Sequence, residues 1–165
     1  MTDPHPSPRI SSVAPGADTT LSVAWEDGGT DTVDLAGWIA RGGPAFRALR
    51  DRTTFHTADV ADYGFAIRWN QDDDLSIDSV HIELLRDQQR PFDSRSLVAW
   101  QGRMALSNQE AADLLGIRLS TLHNYKTGAT RIPRGVQIAC RATERDPLLF
   151  EAHYKPRYTG RPAAA

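Results

Sequence analysis

Ser120, Thr121, His123 and Asn124, in the run "LSNQEAADLLGIRLSTLHNYKTG" from Leu106 to Gly128, are side chains of the kind that read base edges. Asn suits the paired donor and acceptor of adenine, and Ser and Thr meet several bases or phosphate oxygens. At about 100° per residue, a helix through these residues puts Leu122 and Tyr125 on one side. Ser120, His123, Asn124 and Thr127 fall on the other. The chemistry they offer is hydrogen bonding to a partner.

Other reactive types are poorly arranged. His81-Ile82-Glu83 matches half of a zinc-deaminase signature, but that chemistry also needs a P-C-x-x-C, and Cys140 is the single cysteine. His81 therefore reads as a surface residue. Asp72, Asp73 and Asp74 could grip a cation, yet adjacent acids ordinarily form a solvated turn or helix cap. Cys140 lies on an apolar helical face, and Trp25, Trp38, Trp69 and Trp100 sit in alternating or helical patterns, so all read as core. There is no Gly-rich phosphate loop, H-E-x-x-H, nucleophile elbow or paired-acid spacing. No catalytic residue, metal ligand or cofactor is expected, and the chain does not read as an enzyme.

The elements that must position the polar face are legible around it. Ser107 and Glu110 form an S-x-x-E capping box that starts a helix. Ala111, Leu114 and Leu115 occupy one side of it, and Gly116 supplies the left-handed residue that ends it. Ala112 is small where another helix must approach, and Ile117 gives the turn an apolar anchor. A second helix runs from about Leu119 to Lys126 and closes at Gly128. Two helices held nearly at right angles by such a turn are helix-turn-helix geometry, whose second helix enters a major groove. Before them, Asp93 can cap a helix through Met104 with Leu97, Trp100 and Met104 near one face. After them, "IPRGVQIACRATERD" starts with Pro133 in its first turn and buries Val136, Ala139 and Cys140. Asp146-Pro147 opens a last short helix with Leu148 and Leu149, and the tail "YKPRYTGRPAAA" is expected to fray. Arg131 and Arg134 flank a helix start, where phosphates bind.

The first half follows another rhythm. "TLSVAW" alternates Leu21, Val23 and Trp25, Asp27-Gly28-Gly29 makes a turn, and a second strand runs through Val33 to Leu35. Short helical turns follow, with Trp38 and Ile39 inward, a break at Gly42-Gly43, and Pro44 leading "PAFRALR". A Tyr63-Gly64 turn precedes a strand alternating Phe65, Ile67 and Trp69, and "LSIDSVHIELLRDQQ" spaces Ile77, Val80 and Leu84 helically. The fold class is α+β: a small N-terminal antiparallel sheet with short helices, then an all-α domain. The expected division is a flexible tail at 1–9, an α+β domain at 10–90, a helical domain at 91–155 and a flexible tail at 156–165.

Charge follows the same division. Residues 1–92 hold 8 Lys and Arg against 15 Asp and Glu, and residues 93–165 hold 11 against 6. Balances of −7 and +5 within a net charge of −2 point to two domains and to an anionic partner for the second. The N-terminus lacks the apolar segment of a signal peptide, no apolar run approaches the ~20 residues of a membrane span, and one cysteine permits no internal disulfide. A soluble cytoplasmic protein of bacterial type is expected.

The run Leu106–Gly128, preceded by a helix and followed by "RIPRGV", resembles the lambda-repressor/Cro (xenobiotic-response-element) type of helix-turn-helix. The likeness covers roughly 93–150 and lies in Leu106-Ser107, Ala112, Leu115-Gly116, Thr121, Tyr125 and Gly128. It implies base reading by Leu119, Ser120, Thr121, His123 and Asn124. It implies phosphate contact at Asn108, and the site drawn around it adds Ser107, Gln109, Arg118, Thr127, Arg131 and Arg134. The chain departs from the pattern at Arg118, where a capping residue is usual, and at Lys126, where Glu is usual. Residues 10–85, in "ISSVAPGADTTLSVAWEDGGTDTVDLAGWI", "GPAFRALRD" and "IRWNQDDDLSIDSV", resemble Domain of Unknown Function 2442, which implies a small α+β module and no reaction. That module is sometimes fused to a helix-turn-helix or found beside toxin–antitoxin genes. The expectation is a sequence-specific, dimeric transcriptional repressor of double-stranded DNA with an N-terminal dimerisation or partner-sensing module. The alternative is an antitoxin-type module that neutralises a toxin-like protein partner and regulates its own operon.

Overall fold

The computed structural model describes residues 7–157. The chain divides into two compact units, Met1–Arg90 and Pro91–Ala165. Strands and helices are both present, and the fold class is α+β.

In the first unit, β1 (Ile10–Pro15), β2 (Thr20–Trp25) and β3 (Gly29–Asp34) form one antiparallel sheet in chain order. β4 (Asp59–Ala61), β5 (Ala66–Trp69) and β6 (Asp72–Asp78) form a second. The alternation in "TLSVAW" is realised: Leu21, Val23 and Trp25 are all buried. Between the sheets in sequence lie α1 (Ala36–Arg41), a 3-10 turn at Ala45–Arg50 and α2 (Arg52–Phe55). α3 (Ser79–Gln89) packs on β3 and closes the unit. Its last turn is tied to that strand, because the Gln89 amide accepts from Asp34 N–H and donates to the Asp34 carbonyl, each at 2.8 Å.

Several local expectations are corrected here. Ile77 does not share a helix with Val80 and Leu84. Leu75 and Ile77 alternate inward on β6, and Asp78 caps α3 through His81 N–H at 2.8 Å. That cap sets the helix phase so that Ile82 is buried and Val80 and Leu84 are exposed. The second strand begins at Gly29, earlier than Val33. Phe65 lies outside β5, because Asp62, Tyr63 and Gly64 all have positive φ and redirect the chain before it. Its ring instead lies 4.5 Å beneath the Arg9 guanidinium. Of the expected tail at 1–9, Met1–Pro6 lie outside the described residues, and Arg9 already joins the fold through its carbonyl, which accepts from Glu26 N–H at 2.9 Å. Asp72–Asp74 belong to β6, with Asp73 paired to Arg68 at 3.0 Å.

Gly64 is the tightest point of the unit. Its φ is +92°, and a Cβ there would sit 2.7 Å from the Ile10 carbonyl oxygen. Gly64→Ala is therefore expected to destabilise this unit by about 1–2 kcal/mol, from conformational strain and the clash together. Thermal melts of the full chain test it; an unchanged unfolding midpoint would show that β1 yields freely.

In the second unit, α4 (Ser94–Arg103), α5 (Asn108–Leu115), α6 (Leu119–Thr127), α7 (Arg134–Arg145) and α8 (Pro147–His153) surround one core. Leu97, Trp100, Ala111, Ala112, Leu122 and Cys140 are fully buried there. Burial pushes the Cys140 thiol up to about 12, so it behaves as a small apolar residue. Val136 and Ala139 are only half-buried, and Pro133 is the residue before α7, extended at ψ 148°, so the helix begins at Arg134. The expected fraying of the chain from Tyr154 is corrected as far as Arg157: the Tyr154 hydroxyl and the Arg157 N–H each donate to Glu110 Oε1 at 2.9 Å. Tyr158–Ala165 lie outside the described residues.

Candidate nucleic-acid interface

α5 and α6 are assembled by local chemistry. The Ser107 Oγ accepts from Glu110 N–H at 3.2 Å, while Glu110 Oε2 accepts from Ser107 N–H at 2.9 Å. Gly116, at φ +65°, ends α5, and Ile117 N–H returns to the Ala112 carbonyl at 3.0 Å, satisfying orphan carbonyls of the last turn. Only Arg118 and the half-buried Ile117 separate that turn from α6. Arg118 is the residue before α6 and caps it with no side-chain hydrogen bond, as its type dictates. Leu122 and Tyr125 then bury the inner face of α6, and Gly128 at φ +76° closes it.

The outer face holds the base-reading candidates. Ser120, His123 and Asn124 are exposed, Leu119 is 37% exposed, and Thr121 is half-buried against the unit. Thr127 is exposed, but its hydroxyl donates to the Asn124 carbonyl at 3.2 Å. Among the phosphate candidates, Ser107 and Asn108 are exposed at the start of α5. The Gln109 amide donates to Asp113 at 2.9 Å. Arg118, Arg131 and Arg134 are exposed and make no ion pair among the described residues. Arg131 and Arg134 lie beside Ile132, Pro133 and Gln137 around a shallow depression of about 370 Å³ at the start of α7.

The charge around this face is one-sided. From Leu114 to Thr143 the chain carries Arg118, Lys126, Arg131, Arg134 and Arg141 and no Asp or Glu. The acids that bracket the stretch are engaged elsewhere. Asp113 is paired with Arg157 at 2.7 Å, and Glu144 holds Arg103. Hydrogen bonds from Arg157 and Gln109 hold the Asp113 carboxyl below its ordinary range. A stretch of cations without acids favours anions over cations in its surroundings.

Sequence reasoning missed Gln101 and the tertiary partners of Lys126 and Glu110. Gln101 on α4 donates to Asn108 Oδ1 at 3.0 Å, and Lys126 donates to the same atom at 2.7 Å. The departure at Lys126 signalled an unusual contact there without naming its partner. Glu110 is a second case: beyond capping α5 it receives Tyr154 and Arg157, more than 40 residues onward. Nothing local in the sequence marks that pairing.

No family model matches the chain, and no curated protein matches it. Among solved structures, the chain is similar to NE0471 of Nitrosomonas europaea, a proposed DNA-binding protein. Identity is 22% over 95% of this chain and 94% of that one, with a TM-score of 0.45.

Proposed function

We propose that the second unit is a helix-turn-helix domain that binds duplex DNA, with α6 as the recognition helix. The observation that carries this reading is the outer face of α6, where Ser120, His123 and Asn124 are exposed, within a 30-residue stretch, Leu114 to Thr143, free of acids. Short neutral side chains can approach base edges, while surrounding cations hold the backbone. In this reading Leu119, Ser120, Thr121, His123 and Asn124 meet bases. Ser107, Asn108, Arg118, Arg131 and Arg134 meet phosphates, the last two beside the open N-terminus of α7. Gln109 and Thr127, which already donate within the chain, have subordinate roles.

One headpiece reads only a few base pairs, so specificity calls for a two-fold dimer on a palindromic site. The protein then acts as a transcriptional regulator, a repressor by occupying a promoter, with the first unit dimerising the chain or sensing a partner. Arg118, Arg131 and Arg134, without an ion pair among the described residues, give at phosphates a salt slope of about −2.7, so affinity falls roughly 40-fold for a fourfold rise in salt. Fluorescence anisotropy of labelled duplexes at several salt concentrations measures this. Absence of binding at low salt, or binding indifferent to salt, would overturn the proposal.

A further inference from the structure

Resting on the DNA-binding reading, we propose that Gln101 and Lys126 are positioning residues. They lock the Asn108 side-chain amide with its NH2 turned outward, as a donor for a backbone phosphate. The inference follows from which groups can only donate and which can only accept.

The Leu106 carbonyl can only accept, and Gln101 Nε2 donates to it at 3.0 Å. This bond sets the Gln101 amide with its nitrogen toward α5. The same nitrogen meets Asn108 at 3.0 Å, so Asn108 must present its oxygen there. Lys126 is an ammonium with donors alone, and it reaches the same Oδ1 at 2.7 Å. A reversed Asn108 amide would set NH2 against NH2 on one side and against a cation on the other. Two obligate donors, from α4 and α6, thus enforce one orientation of a side chain at the first position of α5. The Asn108 NH2 is left without a partner among the described residues, on an exposed residue.

A second observation shows that this orientation is imposed. Gln101 is only 8% exposed, and its Oε1 is buried without a hydrogen-bond partner. Buried acceptors are rarely left unmet. The arrangement accepts that loss to keep both donor contacts on the other side. Lys126 also places a positive charge beside the outward NH2, which strengthens its hold on an anion.

The full-length chain tests this in two ways. Asn108→Ala and Lys126→Met are each expected to weaken binding to duplexes of unrelated sequence about tenfold. The double variant is expected to bind no worse than the weaker single variant, because both changes remove one contact. Losses that multiply, toward about a hundredfold, would mean that Lys126 acts as an independent charge and would overturn the lock. The second arm needs no DNA. In the free protein, Lys126→Met is expected to shift the Asn108 side-chain amide resonances, and Arg131→Ala to leave them in place. Gln101→Met repeats the test from the other donor, and the half-buried Lys126 keeps it decisive if Gln101→Met unfolds. Unmoved Asn108 signals in Lys126→Met would overturn the lock. Failure of the unsubstituted chain to bind any duplex would instead overturn the DNA reading, while the amide signals still decide the lock.

Discussion

Replacing Glu110 by Ala is expected to destabilise the second unit by about 3 kcal/mol, near the upper end for hydrogen bonds to a charged group. The carboxylate is 1% exposed and accepts from Ser107 N–H, the Tyr154 hydroxyl and Arg157 N–H, each at 2.9 Å. Alanine leaves those donors unmet, frees the start of α5 and releases the segment after α8. Glu110→Gln is expected to cost less, because an amide retains one accepting oxygen. These donors, the Arg157 amide foremost and then the Ser107 amide, hold the Glu110 carboxyl down to about 2, from an ordinary 4.5. The folded-state value is depressed, so the stabilisation is complete above about 4.5 and is lost as pH falls toward about 2. Asp93 and Asp113 are shifted in the same direction, so part of the acid sensitivity persists in Glu110→Ala. Urea denaturation followed by circular dichroism, between about pH 6 and pH 2.5, compares the two chains. Equal stability at neutral pH, or identical pH profiles, would show that Glu110 is not the junction between α5 and the segment after α8.

Asn124→Ala is expected to cost about 1–3 kcal/mol on the preferred duplex and to relax the preference at one base pair. Asn124 is exposed one turn beyond Ser120 on the outer face of α6, and a carboxamide can engage an adenine edge through two hydrogen bonds. Arg131→Ala has the opposite signature. It should weaken binding to all sequences alike and reduce the salt slope by about one, as loss of one phosphate contact does. Arg131 lies in the segment between α6 and α7, outside the α6 face. Competition between specific and scrambled duplexes separates the two effects. If Asn124→Ala left affinity and preference unchanged, the register of α6 against the bases would be wrong.

The helical ends at the site were legible because they depend on residues three or four positions apart. The Ser107–Glu110 box, the left-handed Gly116 and Gly128, the uncapped start at Arg118 and the inward Leu122 and Tyr125 all follow from such spacings. Alternation likewise placed Leu21, Val23 and Trp25 inside. Reading went astray where two periods overlap: a strand ending at Asp78 runs directly into a helix, and Ile77, Val80 and Leu84 mimic one helical face across the junction. It also failed at Phe65, because three consecutive positive φ angles redirect the chain after Ala61.

By itself, the sequence determined the α+β class, the short polar stripe on α6 and the acid-free basic stretch around it. Each is a property of neighbouring residues or of composition, set by backbone hydrogen bonding and side-chain type. Only the tertiary structure decided which groups meet across the chain. It placed Gln101 and Lys126 on one oxygen of Asn108, and Tyr154 and Arg157 on the buried Glu110. Those partners come from separate elements, α4, α6 and the segment after α8, and their meeting depends on how apolar faces pack into one core. Packing is collective, and no local spacing encodes it.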